Sequence, residues 1–175
     1  LGAQQTPSVA TSADEVEELP LRTSFGTSIS LAIDYGVELL ESADFPADAW
    51  VIDVSGDGPN NNGAPVVIPR DAALEKGIII NGLPIMVKEP SYSTMDIDNL
   101  DLYYEDCVIG GPGAFVVTIK ERDKFKEAIR TKLILEIAGR EPPARIVPAS
   151  AAEPRISCMI GERMWQYRWG GRDGN

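Results

Sequence analysis

A chain of 175 residues is long enough for one domain with a real hydrophobic core and too short for two ordinary ones. Its 43% hydrophobic and 25% charged residues are those of a soluble globular protein, and no apolar run approaches the ~20 residues that span a bilayer. The net charge of −11 argues against nucleic acid, whose binding depends on Lys and Arg neutralising phosphates, and the absence of histidine excludes a Ser-His-Asp or Cys-His catalytic set and every histidine-containing zinc site within the chain.

Residues 1–22 are small, polar and acidic with no apolar period, and read as a linker or mobile loop. No signal peptide is present, although the chain opens on Leu1 rather than an initiator methionine, which leaves room for an upstream segment. From Thr27 the pattern changes. Ile29, Ile33, Val37 and Leu40 recur at helical spacing, with Asp34, Glu38 and Glu41 on the other side, which predicts an amphipathic helix capped by Thr27. The apolar run Ala49 to Ile52, ending in Asp53-Val54-Ser55-Gly56-Asp57-Gly58, predicts a strand buried on both faces, as in a parallel sheet.

Dense turn chemistry follows over 58–63, then a helix from about Val66 to Lys76 with Pro69 near its first turn and Gly77 as its stop. Ile78 to Gly82 reads as a second buried strand, 88–99 as loop, Leu100 to Val108 as a short helix and Ala114 to Thr118 as a third strand. Phe125, Ala128, Ile129, Leu133 and Ile137 mark a helix to about Ala138. Beyond Gly139 prolines and alanines predict an extended tail over 140–175, its aromatics Trp165, Tyr167 and Trp169 packing or anchoring it. Strands alternating with helices imply parallel strands and right-handed crossovers, hence an α/β doubly wound sheet. Cys107 and Cys158 either close one long loop as a disulfide or stand as two buried thiols, and spacing alone favours neither.

Two loops look like sites and fail as such. Gly26-Thr27-Ser28 resembles the loop around a subtilisin-like nucleophile, but without histidine nothing activates Ser28. Asp53 to Gly58 matches the first half of an EF-hand loop, yet it follows a strand, and Ala64 stands where the bidentate Glu belongs. Taken together the loops make better sense. Ligands of doubly wound sheets bind beyond the carboxyl ends of the strands. Asp57 follows a buried strand and Thr27 starts a helix, so a carboxylate and a hydroxyl, both hard oxygen donors suited to Mg²⁺, converge there. The bland reading leaves Thr27 a helix cap and Asp57 a turn residue.

At these residues the chain resembles a known family. Gly26 to Ile33 is similar to the second element of the metal-ion-dependent adhesion site (MIDAS) of von Willebrand factor A (VWA) domains, a Gly-Thr pair before a helix, and Val51 to Gly58 to its third element, a hydrophobic strand ending in Asp-Gly. More narrowly, Val51 to Pro84 and Leu102 to Val116 resemble a bacterial family of VWA-like proteins whose domain has no known function. The likeness covers about 23–138 and, weakly, Cys158 to Arg163. The family's first metal element, Asp-x-Ser-x-Ser, is absent upstream of Thr27. Reading Asp53 to Asp57 as that first loop would require a Gly-Thr helix start downstream, and none follows.

The resemblance implies a Rossmann-like, mostly parallel VWA fold of which 23–139 form the C-terminal portion, the other half being supplied by the missing N-terminal part or by another chain. It implies a non-catalytic, metal-assisted binding module rather than an enzyme. Thr27 and Asp57 hold Mg²⁺, with Ca²⁺ or Mn²⁺ as alternatives, Asp53 and Ser55 support them, and a protein partner presents a carboxylate to the open position. In this chain alone the metal is expected to bind weakly or not at all, since two ligands leave most of an octahedral shell to water. The resembled family appears exported, which implies a periplasmic or secreted protein and a Cys107–Cys158 disulfide. The rival reading is a structural or assembly subunit that keeps the fold without a working metal site. A metal-dependent hydrolase built on Asp53 or Asp57 is disfavoured because no second acidic cluster accompanies them.

Overall fold

The computed structural model describes residues 26–44, 47, 49–87, 96–137 and 153–169. The linker expected over 1–22, the stretch 88–95 of the expected loop and residues 138–152 lie outside them. Helix α1 (Ile29–Ser42) forms on the predicted apolar spacing, with Ile29, Ile33 and Val37 buried. Its cap is Ser28 rather than Thr27: the Ser28 hydroxyl oxygen accepts from the Leu31 amide at 3.3 Å. The two residue types cap almost equally well, and here the backbone of Thr27 is engaged by another loop, which leaves the cap to its neighbour. On the solvent side of α1, Leu31, Tyr35 and Leu39 are exposed.

Strand β1 (Val51–Gly56) and strand β2 (Ile79–Pro84) pair in parallel, Val51 opposite Ile79 and Gly56 opposite Pro84. Between them helix α2 (Val67–Glu75) ends where Gly77 takes φ 77°, the left-handed turn that releases the chain into β2. The expectation that β1 is buried on both faces is corrected. Val54 is buried, whereas Val51, Asp53 and Ser55 are exposed, an alternation that marks a strand covered on one face. The covered face packs on α1, where Gly36 lets Ile52 approach closely. The other face stays largely open, though helix α4 (Phe125–Ile137) sends Lys132 to it, with Nζ 2.6 Å from Asp53 Oδ2.

The third strand expected over Ala114 to Thr118 is reduced to two parallel bridges, Gly82 with Val116 and Ile85 with Ile119. Val117 and Ile119 donate to the carbonyls of Gly82 and Pro84 at 2.9 Å. One bond of that region comes from a side chain instead, Phe115 N–H donating to Asn81 Oδ1 at 3.2 Å. The direction is as expected; the regular ladder is not formed. The observed architecture is therefore mixed α/β with a short parallel sheet.

Helix α3 (Leu100–Tyr103) widens into a π-helical turn over Tyr104–Val108, closed by Ile109 N–H donating to the Tyr104 carbonyl at 3.0 Å. Adjacent tyrosines thereby both enter the core, edge to face with ring centroids 6.3 Å apart. Tyr104 lies on the sheet over Gly56 and Gly82; a Cβ at Gly82 would stand 2.8 Å from its Cδ1. Burial raises the pKa of both phenols above the ordinary tyrosine range. Their hydroxyls differ in kind. Tyr103 accepts the Asn60 amide at 3.2 Å, whereas the buried Tyr104 hydroxyl has no partner among the described residues.

Tyr104→Phe is accordingly expected to leave stability unchanged or raise it by about 1 kcal/mol, because it removes a desolvated group that gains nothing in return. Tyr103→Phe strands the Asn60 amide and is expected to cost about 1–2 kcal/mol. Urea unfolding of the two variants checks this, and the opposite ranking would contradict the hydrogen-bond pattern.

Within the tail expected to be extended, the described residues 153–169 instead form helix α5 (Ile160–Trp169) after a short approach. Three attachments bring it back to the π-helical turn. Arg155 donates from its backbone amide to Asp106 Oδ2 at 2.6 Å, and its guanidinium reaches Glu105 and Asp106, each at 2.6 Å. Burial works to raise the Asp106 pKa, but the hydrogen bonds and charge of Arg155 prevail and lower it. Cys107 and Cys158 form the disulfide, with Cα atoms 5.4 Å apart. Two residues later α5 begins.

Candidate functional site

Asp57 is the first residue beyond β1 and is exposed, so its carboxylate leaves the sheet at the carboxyl end of a parallel strand. The chain then turns inward: Gly58, Pro59, Asn60 and Asn61 are buried. This burial has a purpose in hydrogen bonding. The first amides of any helix lack partners within it. Here asparagine side chains meet the backbone at the entry to α1, Asn60 Oδ1 accepting Ser30 N–H at 3.0 Å and Asn61 Oδ1 accepting Thr27 N–H at 2.8 Å. In return the Thr27 carbonyl accepts the amides of Asn61 and Asn62 at 2.9 and 3.2 Å. The loop after β1 thus lies across the start of α1.

Thr27 is half-buried at this junction. Among the described residues neither its hydroxyl nor the Asp57 carboxylate takes part in a hydrogen bond or ion pair. Asp53 and Ser55 stand apart, further back along β1 on its exposed face. The Asp53 carboxylate is engaged by Lys132 and by Asn81 Nδ2 at 3.4 Å, which ties it to α4 and β2. The structure therefore brings Thr27 next to the Asp57 loop and leaves Asp53 committed elsewhere.

As donors, a carboxylate and a hydroxyl that no described residue engages suit a hard cation, and they fit Mg²⁺ in type. They do not complete a shell, and among the described residues no group of three or more His, Cys, Asp and Glu is assembled to hold a metal ion. Further ligands would have to come from water or from outside these residues.

Two residues at the junction escape the sequence reading. Asn60 is fully buried and spends its whole side-chain amide: besides accepting from Ser30, its Nδ2 donates to the Ala64 carbonyl at 3.0 Å and to Glu162 Oε1 at 2.7 Å. Glu162 belongs to α5, and its other oxygen, Oε2, is buried without a partner among the described residues. In sequence the only signal is the run Asn60-Asn61-Asn62 between glycines, which reads as turn chemistry.

The fold and junction define a class: an α/β domain with a short parallel sheet and a loop laid over a helix start at its carboxyl end. The chain belongs to the family described as protein of unknown function (DUF1194), whose sequence pattern matches residues 3–141. That match includes both loops and Cys107, and ends before Cys158 and α5. No curated protein and no solved structure matches the chain.

Proposed function

We propose that the chain is the C-terminal portion of a VWA-type domain and that, in the intact protein, it takes part in non-catalytic, metal-assisted binding of a protein partner. Thr27 and Asp57 would contribute a hydroxyl and a carboxylate to Mg²⁺, directly or through water. The metal would supply an open coordination position for a carboxylate of the partner. The observation that carries this reading is the loop junction: Asn61 and Asn62 bind the backbone of Thr27, and Asp57 leads that same loop at the carboxyl end of β1. The parallel pairing of β1 and β2 is in keeping with it. Among the described residues β1 is paired only with β2, which supports a further strand, from an upstream part of the domain or another chain, along its other edge. The disulfide supports an exported, periplasmic or secreted setting. Among the described residues no helix is long and apolar enough to cross a membrane.

Calorimetric titration of the full-length protein with Mg²⁺ tests the proposal. Asp57→Ala is expected to weaken metal binding by on the order of tenfold or more while leaving the unfolding midpoint in place, since the residue is an exposed loop acid. Glu41→Ala is the control: it removes an exposed ion pair with Lys76 and is expected to change stability by less than about 1 kcal/mol and Mg²⁺ affinity not at all. Unchanged Mg²⁺ affinity in Asp57→Ala would sink the adhesion-site reading.

A further inference from the structure

The loop that leads from Asp57 to Thr27 is itself held from a third place. Asn60 is its hub: its side chain binds α1 through Ser30 and its own loop through Ala64, its amide binds Tyr103, and its remaining donor binds Glu162 of α5. The contact with α5 is closer than a side-chain bond alone requires. Gly161 sits so near the loop that a Cβ there would stand 2.0 Å from the Asn60 carbonyl oxygen. The backbone of the helix rests on the loop, and Glu162, the next residue, reaches under it.

α5 has 10 residues, and isolated helices of this length are marginal in water. Its seat depends on what ties it down. The Arg155 pairs with Glu105 and Asp106 are partly exposed and contribute modestly. A covalent tie adds to them, Cys158 to Cys107, two residues before α5 begins, and Ile156, Cys158 and Ile160 pack against the core.

We propose that α5 is a clamp on the ligand loop, in which Glu162 is the positioning residue for Asn60 and the Cys107–Cys158 bond keeps Glu162 seated, so that release of the disulfide loosens the junction of Asp57 and Thr27. A dithiol of the thioredoxin type would supply the chemistry. Its thiolate attacks one sulfur to form a mixed disulfide as the Cys107–Cys158 bond breaks, its second thiol resolves that bond, and two electrons and two protons pass from the reductant, which departs as its own disulfide, to the protein as two thiols. That the loop carries metal ligands rests on the reading above; that α5 holds the loop does not.

Hydrogen exchange in the full-length protein reads the clamp without any ligand. The reporters are the amides of Thr27, Ser30 and Asn60, which donate to Asn61, Asn60 and Tyr103, with the β2 amides of Ile79 and Ile80 as internal reference. In Glu162→Ala the reporters are expected to exchange roughly tenfold or more faster, because a buried Asn60 donor loses its acceptor, while the reference amides stay protected. Glu162→Gln keeps an acceptor oxygen and is expected to restore protection, whereas Glu162→Met, of similar size but without a carbonyl acceptor, is expected not to, which a merely space-filling role would not predict. Dithiol treatment of the unaltered protein is expected to give the same loop-specific acceleration. If reduction loosens β2 as well, Glu162→Ala decides the matter with the disulfide intact. Reporter amides unchanged in Glu162→Ala, no restoration by Glu162→Gln, or reporter amides unchanged on reduction would overturn the proposal. The outcomes separate the two readings. Loss of protection in Glu162→Ala together with unchanged Mg²⁺ affinity in Asp57→Ala leaves the clamp standing and the metal reading refuted, and the converse pair does the opposite.

Discussion

Removing the Cys107–Cys158 disulfide, by a dithiol or as the Cys107→Ser/Cys158→Ser double variant, is expected to lower the free energy of unfolding by about 4 kcal/mol. The sequence separation of 51 fixes the size of the effect: in the unfolded chain the bond confines a long loop, and the entropy so removed grows with the logarithm of loop length. A loss of this size is a large share of the 5–15 kcal/mol typical of a domain. In urea the midpoint should fall by roughly 2 M, for a denaturant slope of about 2 kcal/mol/M. Coincident urea midpoints for the oxidised and reduced protein would contradict it. This global effect acts through the unfolded chain and is distinct from the native-state loosening of the Asn60 loop, which exchange of individual amides detects.

Ile33→Ala is the second large expected effect, a loss of about 2–5 kcal/mol. Ile33 is fully buried at the centre of the face that α1 turns to the sheet, in a core shared with Val54, Ile80, Tyr103 and Tyr104. Truncation removes transfer free energy and leaves a cavity in a close-packed interior that relaxes only partly. Leu39→Ala on the same helix is the comparison, since Leu39 is 51% exposed, and it is expected to stay within about 0.5 kcal/mol. Equal losses for the two variants, measured by urea unfolding, would mean that α1 packs through the wrong face.

Residues whose neighbours in sequence determine their environment were legible. The period of Ile29, Ile33 and Val37 locates the buried face of α1, and the β-branched run before Asn81 locates β2 between two helices. Leu100 to Val108 is helical as read, though nothing local marks the change of pitch at Tyr104. The one-sided burial of β1 is not legible because the apolar run Ala49 to Ile52 hides an alternation that begins only at Asp53. The third strand has the right composition, but after the turn with positive φ at Gly111 and Gly113 it meets β2 only at intervals. Helix α5 is not legible, for a tertiary reason. Gly161 at its start weakens the local helical signal, and its seat owes much to the disulfide and the Asn60 loop. The cysteine pairing itself came from family resemblance, not spacing. At the candidate site the residue types at Thr27 and Asp57 were readable, whereas the buried role of Asn60 was not. An asparagine that looks like turn chemistry becomes a structural hub only when distant donors and acceptors are folded around it.

The disulfide also changes the molecule's covalent topology. Between Cys107 and Cys158 the chain is a closed ring, with the bridged segment at Val116 and Ile119 and the whole of α4 threaded along it. Any one peptide bond in that ring can be cut, for instance after Arg140 or Arg145, without changing the number of pieces. The nicked protein keeps its full mass on a non-reducing gel, and α5 stays joined to the π-helical turn by two sulfur atoms. After a cut within the ring, only reduction of the disulfide as well separates α5 from the π-helical turn.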